Sequence, residues 1–580
     1  MKRLMSMTVV LAIALLTTLP VSAQQGSANF VPVTDQVLQN PDPGDWLMWR
    51  RTLNSWGYSP LNQITRNNVR RLTLVWSRGM TGGWQEGTPL VYRGVMYMPN
   101  PSDVIHAIDA ATGELQWEYR RPLPDDLTKY FPVPSINRNI AIFGNLIIDT
   151  SADDYVFALD AASGKLAWET KILDYTKGGQ QTSGPIVANG RIISGRGCEP
   201  EGGPEACVIT AHDATTGREL WRTRTIPAPG EPGNESWGDV PYEERQHVGT
   251  WMVPSYDPEL NLIYVGTSVT SPAPKYMLGG NDKTYLYHNS TLALDANTGK
   301  IVWYYQHLVD NWDMDHTFER LLVDTRVAPD RREVHWINPR LKPGERRKVV
   351  TGIPGKTGVV YTLDRRTGEF LWARSTVIQN FVSGIDGATG AVTTNPALFF
   401  EKIGDERQVC PSSIGGKNWQ AGAYSPLTNT MYFPLQNTCG TVKADSSESL
   451  YAIGRSYQLA PNTSSVGTIQ AVSVETGATA WKYEQRAATA SIVATGGGLL
   501  FGGDANGRFR AFDLNTGEVL WQINLGSPIT GFPITYAVGG RQFVAVSTGR
   551  SLLTAWNYLT PELHPSNGNN LFVFALPDRR

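Results

Sequence analysis

The chain has 580 residues, of which 18% are charged, and its formal net charge at pH 7 is −2. This balance excludes the strongly basic surface by which proteins bind a polyanion such as nucleic acid. The 57 glycines and 37 prolines predict many tight turns. The length allows either several domains or one large repeat architecture.

The N-terminal segment has the pattern of a secretory signal peptide. Lys2 and Arg3 precede an apolar run from Met7 to Leu19, and small residues follow up to Ala23. The run is short for a bilayer span, and no other long apolar stretch follows it. We therefore expect residues 1–23 to be removed on export and residues 24–580 to form a periplasmic protein without a membrane span. A membrane anchor is the alternative interpretation of the same segment.

Four cysteines remain in the mature chain, at Cys198, Cys207, Cys410 and Cys439. An even number of cysteines in an exported protein predicts disulfides. Proximity in the sequence favours pairing Cys198 with Cys207 and Cys410 with Cys439, although four cysteines allow three pairings. The sequence contains no C-x-x-C-H motif and therefore no site for covalent haem attachment.

One motif, close to A-x-D-x-x-T-G-x-x-x-W, recurs seven times along the chain. Each copy predicts a strand, a tight turn capped by the Asp with the Gly at positive φ, and a second strand. The copies span residues 107–117, 158–168, 211–221, 293–303, 362–372, 471–481 and 511–521.

Strand pairs that recur in this way predict a β-propeller, because one blade cannot bury its own faces whereas stacked blades can. The Trp that ends each copy can wedge against the neighbouring blade. Seven copies and a degenerate eighth ending at Trp76 predict eight blades, with Leu571–Pro577 closing the ring against the first. The long gaps at residues 222–302 and 373–480 predict insertions over one face, where function commonly lies.

These repeats resemble the tryptophan-docking motifs of the dehydrogenases that depend on pyrroloquinoline quinone (PQQ), and the resemblance extends from Ser55 to the end of the chain. It implies an all-β, eight-bladed propeller with loop insertions over one face. It also implies a cofactor site, in which Glu86 of WQEGTPL contacts the quinone and Trp251 of WMVPSYDP lies beneath it. Lys356 of GKTG would bond the quinone oxygens, and the GGKNW segment would add two further contacts, from Asn418 and Trp419.

The catalytic and metal-binding candidates follow from the same resemblance. In DNWD, Asp313 takes the place of the family's catalytic base. Asp315, two residues later, is typical of members that use a lanthanide, although it also occurs in relatives thought to use calcium. ISGRGCE resembles the segment that ends in a metal-binding glutamate, here Glu199. Without the resemblance, the two aspartates would fit a solvated turn and Glu199 would fit an exposed loop.

Several positions depart from the family pattern. Val269 of GTSVTSP stands where an Asn usually binds the metal, so Asp315, Thr267 or Thr270 must compensate, or metal binding is altered. PNPSDVIHA replaces the family's adjacent cysteine pair, and Val104 aligns with an expected Arg.

Three further cofactor contacts follow from the alignment of motifs. Arg196 stands where a Ser is common and would supply a cation for a quinone carboxylate. Thr150 is the candidate for a threonine contact, with Ser151 as the other choice, and Thr182 is an additional contact.

The resemblance therefore implies a periplasmic quinoprotein that oxidises a primary or secondary alcohol by hydride transfer to PQQ bound to Ca²⁺ or a lanthanide. Asp313 would act as base, and electrons would pass to an external acceptor such as cytochrome c. The glycine-rich and aromatic stretch at 380–390 favours a substrate larger than methanol. Two alternatives remain: a non-catalytic propeller of the type that scaffolds outer-membrane assembly, and a quinoprotein relative that has lost its metal.

Overall fold

The computed structural model describes residues 30–131, 133–446, 451–551 and 557–577. The expected signal peptide, residues 1–23, lies outside these ranges. Within them, helices are short, and none has both the length and the apolar character needed to cross a membrane. Two α-helices and eight 3₁₀-helices are described. They span Asp35–Gln39 and Gly203–Ala206, and Val69–Arg71, Leu127–Lys129, Tyr175–Lys177, Pro200–Gly202, Asn234–Trp237, Tyr242–Glu244, Lys275–Met277 and Pro396–Leu398.

Eight sheets of four or five strands contain most of the described strands, and all their pairings are antiparallel except that of Tyr58–Ser59 with Thr489–Thr495. The first four sheets contain Thr73–Gly79, Asn570–Ala575, Arg541–Thr548 and Ile534–Val538; Leu90–Tyr92, Val95–Asn100, Val104–Asp109 and Leu115–Arg120; Ala141–Phe143, Leu146–Thr150, Tyr155–Asp160 and Leu166–Lys171; and Ile186–Ala188, Arg191–Ser194, Val208–Asp213 and Glu219–Arg224.

The other four sheets contain Ser255–Asp257, Leu262–Gly266, Ser290–Asp295 and Ile301–Gln306; Leu321–Val327, Glu345–Gly352, Val359–Asp364, Phe370–Ser375 and Trp336–Ile337; Ala423–Ser425, Thr430–Gln436, Gly467–Ser473 and Thr479–Gln485; and Tyr58–Ser59, Thr489–Thr495, Leu499–Asp504, Arg508–Asp513 and Val519–Asn524.

The two ends of the described chain meet in one sheet. Thr73–Gly79 pairs with Asn570–Ala575, with Leu74 opposite Phe574. The predicted pairing of the last strand with the N-terminal one is therefore present, and it joins strands that lie almost 500 residues apart, with Asn570–Ala575 inside the sheet and Thr73–Gly79 at its edge. The fold is an all-β propeller.

The repeated motif forms the turn that its sequence predicts. In the first copy, the side chain of Asp109 accepts hydrogen bonds from the backbone N–H groups of Ala111 and Thr112, each at 2.9 Å. The N–H of Gly113 donates to the carbonyl of Asp109 at 2.8 Å. The seven repeat glycines have φ between 67° and 82°, a region that residues with a β-carbon adopt only at a cost.

Each of these glycines also packs against the indole that ends the preceding copy of the motif. A β-carbon built on Gly113 would lie 2.8 Å from Trp76, and one on Gly517 would lie 2.4 Å from Trp481. The same relationship links Trp117 to Gly164 and the four intervening pairs. Since the indole and the glycine belong to consecutive copies of the motif, the missing side chain gives each indole room to lie flat on the next turn.

The segments between the repeats form three smaller sheets. Gly179–Gln180 pairs with Gly197–Cys198, and Val382–Ile385 pairs with Val392–Thr394. The third, here called the insertion sheet, contains Glu406–Val409, Thr438–Ala444 and Ile453–Leu459. The structure forms both predicted disulfides, Cys198–Cys207 and Cys410–Cys439, and the second one links the insertion sheet to the residue that follows its first strand.

Candidate active site

Asp313, which ends the DNWD segment, and Asp315 lie on the loop between Ile301–Gln306 and Leu321–Val327. Asp313 is 5% exposed and Asp315 is 3% exposed, so the solvated-turn interpretation is wrong. Asp313 has φ of 67°, a left-handed conformation that is uncommon for a residue other than glycine. A buried carboxylate held in this conformation needs compensating partners.

Lys356 supplies the first compensating charge. Its Nζ lies 2.7 Å from Oδ1 of Asp313 and 3.1 Å from Oδ2 of Asp315. Its backbone N–H donates to the carbonyl of Asp315 at 2.9 Å. The GKTG turn therefore contacts the loop of Asp313 and Asp315 through both the side chain and the main chain of Lys356. The second oxygen of Asp315, Oδ1, accepts the N–H of Val269 at 3.0 Å. Val269 thus meets Asp315 through its backbone, where an Asn would offer a side-chain oxygen.

Arg455 is a partner that the sequence motifs did not reveal. Its Nη2 lies 3.1 Å from Oδ2 of Asp313, and its guanidinium carbon lies 4.8 Å from the ring centre of Tyr451. Arg455 belongs to the third strand of the insertion sheet, outside every copy of the repeat. The only sequence signal was indirect, since two buried acids beside a single lysine call for a second cation.

The pKa values of Asp313 and Asp315 are shifted in opposite directions. Burial raises the pKa of Asp313 to about 6, against the opposing charges of Lys356 and Arg455. Burial also favours protonation of Asp315, but Lys356 and the N–H of Val269 together hold its pKa below the ordinary value. Burial opposes the charge on Lys356, yet the two aspartates raise its pKa above the ordinary value. Asp313 is therefore the acid better suited to take up a proton.

The cofactor candidates meet at Arg138, which is buried and was not predicted. Its Nη2 lies 2.6 Å from Oε2 of Glu86, and its Nη1 donates to the carbonyl of Thr182 at 3.2 Å. Its guanidinium carbon lies 5.2 Å from the ring centre of Trp251 and 5.9 Å from that of Trp419. Four predicted residues from distant parts of the chain therefore share one cation.

The GGKNW segment lies against the GKTG turn. The N–H of Gly416 donates to the carbonyl of Lys356 at 2.7 Å. The amide of Asn418 donates to the carbonyl of Ile414 and accepts the N–H of Trp419, at 2.7 and 2.8 Å, so this side chain shapes its own loop. These contacts connect the residues around Arg138 to the residues around Asp313.

Glu199 lies on a second segment that reaches the same region. It is 8% exposed, so the exposed-loop interpretation is wrong. It follows the short strand Gly197–Cys198, and its carboxylate accepts a hydrogen bond from the amide of Gln180. Burial raises its pKa, against the charge of His247 and the bond from Gln180. The Cys198–Cys207 disulfide fixes the chain immediately beside it.

Tyr451 is the common neighbour of the three candidate metal ligands. Burial raises the pKa of its phenol well above the ordinary value, and the charges of Asp313, Asp315 and Glu199 raise it further. The ring of His247 meets that of Tyr451 edge-on at 5.0 Å. The charges of all three carboxylates therefore act on one phenol, although they come from two segments more than a hundred residues apart.

These carboxylates are hard oxygen donors of the kind that Ca²⁺ and lanthanide ions prefer. In the described part of the chain, however, three or more ligating side chains do not already form a cluster. The two candidate replacements for the missing Asn are engaged elsewhere: the hydroxyl of Thr267 donates to the carbonyl of Tyr287, and that of Thr270 donates to the carbonyl of Pro272. By donor chemistry the site fits a cation, with Asp315 as the nearest substitute for the Asn.

The remaining cofactor candidates differ in how their polar groups are used. The Oγ1 of Thr150 and the Nε1 of Trp419 are buried and have no hydrogen-bond partner among the described residues. Because an unpaired buried polar group is costly, both fit a ligand rich in oxygen. Arg196 instead lies 3.3 Å from Asp154 and donates to Thr210 and the carbonyl of Val208, so its guanidinium already has partners within the protein.

Comparison with known proteins places this geometry in a family. The family model described as the β-propeller domain of PQQ-type glucose, ethanol and alcohol dehydrogenases matches residues 46–383 and 463–544. A quinone alcohol dehydrogenase subunit from Komagataeibacter europaeus is 32% identical over 87% of this chain and 72% of its own length. The quinohemoprotein alcohol dehydrogenase ADH IIB of Pseudomonas putida is 30% identical over 92% of this chain and 78% of its own length.

Solved structures agree with this assignment. A europium-containing methanol dehydrogenase superposes with a TM-score of 0.84 at 26% identity, covering 94% of this chain and 100% of that one. The quinohemoprotein alcohol dehydrogenase ADHIIG of Pseudomonas putida superposes with a TM-score of 0.83 at 27% identity, covering 95% of this chain and 85% of that one. The chain belongs to the family of PQQ-dependent alcohol dehydrogenases, which are oxidoreductases built on a β-propeller.

Proposed function

We propose that this chain is a periplasmic quinoprotein that oxidises a primary or secondary alcohol to an aldehyde or ketone, with PQQ and Ca²⁺ or a lanthanide as cofactors. The observation that carries the proposal is the burial of Asp313 against Lys356, beside a cluster in which four predicted cofactor residues meet at Arg138. A scaffold propeller has no use for so many buried charges, because each must be desolvated and paired.

We infer that each of the eight large sheets is one blade and that the Trp–Gly contacts are the docking contacts between blades. Residues 24–580 then form a single propeller domain, and residues 1–23 are the signal peptide that directs the chain to the periplasm. Contacts between the two insertions support their position over one face: the N–H of Ala273 donates to the carbonyl of Tyr451, and the amide of Asn281 donates to the carbonyl of Phe400, each at 3.0 Å.

PQQ bound to its cation would supply the electrophile that accepts the hydride from the alcohol. Trp251 offers a flat face on which it can stack, and Glu86, Thr150, Thr182, Asn418 and Trp419 would supply the polar groups around it. Arg196 reaches the same region through its backbone, since its carbonyl accepts the N–H of Thr250, the residue before Trp251. Glu199, Asp313 and Asp315 would hold the cation through oxygen.

The proton chemistry falls to the chain's own residues. Asp313 accepts the proton of the substrate hydroxyl, and Lys356 orients its carboxylate and offsets negative charge that develops on neighbouring oxygens. Burial of the loop keeps water from competing for these groups. We propose that the electrons pass to an external acceptor such as a soluble cytochrome c.

A quinoprotein that works without a metal is a second candidate. It is favoured by the aliphatic side chain of Val269 at the usual ligand position and by the two cations, Lys356 and Arg455, that already contact Asp313. In that case Lys356 and Arg455 would balance the carboxylate charges that a bound metal ion would otherwise balance.

One assay separates these possibilities. The purified apoprotein is mixed with PQQ and with Ca²⁺, La³⁺ or a chelator, and the reduction of a dye is followed with a panel of alcohols. Activity that requires the cation supports the proposal, and activity with PQQ and chelator supports the metal-free candidate. Failure of every combination to reduce the dye would point to a non-catalytic propeller.

A further inference from the structure

We propose that Arg455 is a substrate-recognition residue that selects alcohols whose carbinol carbon carries a carboxylate or carbonyl group. This inference rests on the proposed function and names the substrate class of the same site. Arg455 lies in the insertion sheet, which is separate from the eight large sheets. The position is therefore free to vary without disturbing the repeat.

The insertion sheet holds Arg455 firmly at the site. Its strand pairs with Thr438–Ala444, with Arg455 opposite Val442, and that strand carries Cys439 of the disulfide to Cys410. The guanidinium also lies over the ring of Tyr451, with its carbon 4.8 Å from the ring centre. A side chain fixed by a disulfide-linked sheet and an aromatic ring loses little further freedom when it binds a ligand.

The position of the guanidinium sets which part of a substrate it can reach. Its Nη2 lies 3.1 Å from Oδ2 of Asp313. A hydroxyl that hydrogen-bonds to Asp313 would therefore lie beside Arg455. The group that the guanidinium meets most easily is one attached directly to the carbinol carbon.

The hydrogen-bonding capacity of Arg455 sets the chemistry of that group. A guanidinium has five N–H donors in a planar fork. Among the described residues, the only ion pair that Arg455 forms is with Asp313, and its side chain is 25% exposed. The free edge of the fork matches the two oxygens of a carboxylate, or the single oxygen of a carbonyl less strongly.

The role of Arg455 is confined to binding. Its guanidinium stays protonated and cannot accept a hydrogen bond, so it takes no part in moving the proton or the electrons.

Three secondary alcohols test the proposal because they differ only in the group next to the carbinol: isopropanol carries a methyl, acetoin a carbonyl and lactate a carboxylate. With the PQQ- and cation-loaded native protein, we expect kcat/KM to rise from isopropanol to acetoin to lactate. In Arg455→Gln, kcat/KM for lactate should fall about 10- to 100-fold, mainly through KM, because a charge-assisted hydrogen bond is lost. The value for isopropanol should fall less, since the methyl group makes no such bond and only the charge beside Asp313 is lost, so the ratio of kcat/KM for lactate to that for isopropanol should drop.

Two further variants test whether the effect comes from the guanidinium of Arg455 rather than from its charge or its sheet. Arg455→Lys keeps the positive charge beside Asp313 but loses the fork, so its loss with lactate should be intermediate. Arg407→Gln is the matched control, since Arg407 lies on the same sheet with the same 25% side-chain exposure but pairs with Asp405. It should leave the order of the three substrates unchanged.

Two results would overturn the proposal: native protein that does not prefer lactate or acetoin over isopropanol, or an equal loss on all three substrates in Arg455→Gln. The second result would mean that Arg455 only positions Asp313. Either result, with isopropanol still oxidised, refutes the substrate class and leaves the proposed function intact. If the loaded native protein oxidises no alcohol at all, the proposed function fails and this inference fails with it.

Discussion

The Nζ of Lys356 lies 2.7 Å from Oδ1 of Asp313, which joins a turn of one sheet to a loop that enters that sheet from its neighbour. The turn lies between Glu345–Gly352 and Val359–Asp364, and the loop leads into Leu321–Val327. This ion pair, together with that of Arg455, therefore places the proposed base relative to the propeller. Removing Lys356 would leave a buried charge with less compensation, which is costly.

Replacing the proposed base should separate binding from turnover. Asp313→Asn keeps the size and hydrogen-bonding oxygen of the side chain but removes the basic carboxylate. We expect PQQ binding, measured by the absorbance of the cofactor retained on the protein, to stay near that of the native chain. Turnover should fall about 10²- to 10⁴-fold, the usual contribution of a general base. Asp324→Asn, which alters an acid that is 46% exposed on the following strand, is the control. Retained turnover in Asp313→Asn would show that the base lies elsewhere.

Removing the lysine should change the pH dependence of the reaction. Lys356 lowers the pKa of Asp313, which burial raises to about 6. Since a base must be ionised to act, activity should fall as the pH drops through that pKa. In Lys356→Met the opposing charge is gone, so the acid limb of kcat/KM against pH should move to higher pH. Lys356→Arg should move it less, because the charge remains. An acid limb at the same pH in all three proteins would contradict this role for Lys356.

Asp315 should determine whether the protein is activated by La³⁺, which carries a larger charge than Ca²⁺. Its carboxylate is the nearest oxygen donor to the position of Val269, whose N–H it accepts. Asp315→Ala removes that donor, so any activation by La³⁺ should disappear while PQQ binding persists. The measurement is dye reduction as La³⁺ or Ca²⁺ is titrated into the apoprotein. An unchanged La³⁺ response would exclude Asp315 as a ligand.

The sequence predicts best what depends on local patterns. The Asp and Gly of each repeat specify their own turn, as Asp109 and Gly113 show, and the motif around Asp313 marks the loop that proved to be buried. Arg138 and Arg455 escaped prediction for a different reason. Each acts on residues that are far away in sequence and come close only after the sheets have assembled. No spacing rule reports such a contact.

The contact between Trp481 and Gly517 should contribute measurably to stability. In Gly517→Ala the new methyl group would lie 2.4 Å from the indole, at a residue with φ of 73°. Overpacking costs about 1–3 kcal/mol, and the left-handed conformation costs about 1 kcal/mol more for alanine. Gly526→Ala is the matched control, because Gly526 has φ of 77° and open space around its β-carbon position. We expect Tm to fall more in Gly517→Ala than in Gly526→Ala. Equal losses would show that the indole does not depend on the glycine.

The buried pair of Asp103 and Asp149 should make the fold less stable as the pH rises. Burial raises the pKa of Asp103 above its ordinary value of 3.8, and burial and the charge of Asp103 together raise the pKa of Asp149. A folded-state pKa above the unfolded one means that the folded chain binds the proton more tightly. Stability from this source is therefore complete below the ordinary carboxyl pKa and declines as the pH rises through the folded value.

Asp103→Asn tests this directly, because the amide oxygen can still accept the N–H of Ala152, which donates to Asp103 at 2.7 Å. The free energy of unfolding in urea, measured at pH 5 and pH 8, should differ less in the variant than in the native chain. At pH 8 the variant should also be the more stable protein, since it no longer buries the second charge. Asp125→Asn, at an exposed position, should reproduce the native difference between the two pH values. An Asp103→Asn variant with the native pH dependence would show that the two carboxyls do not share this cost.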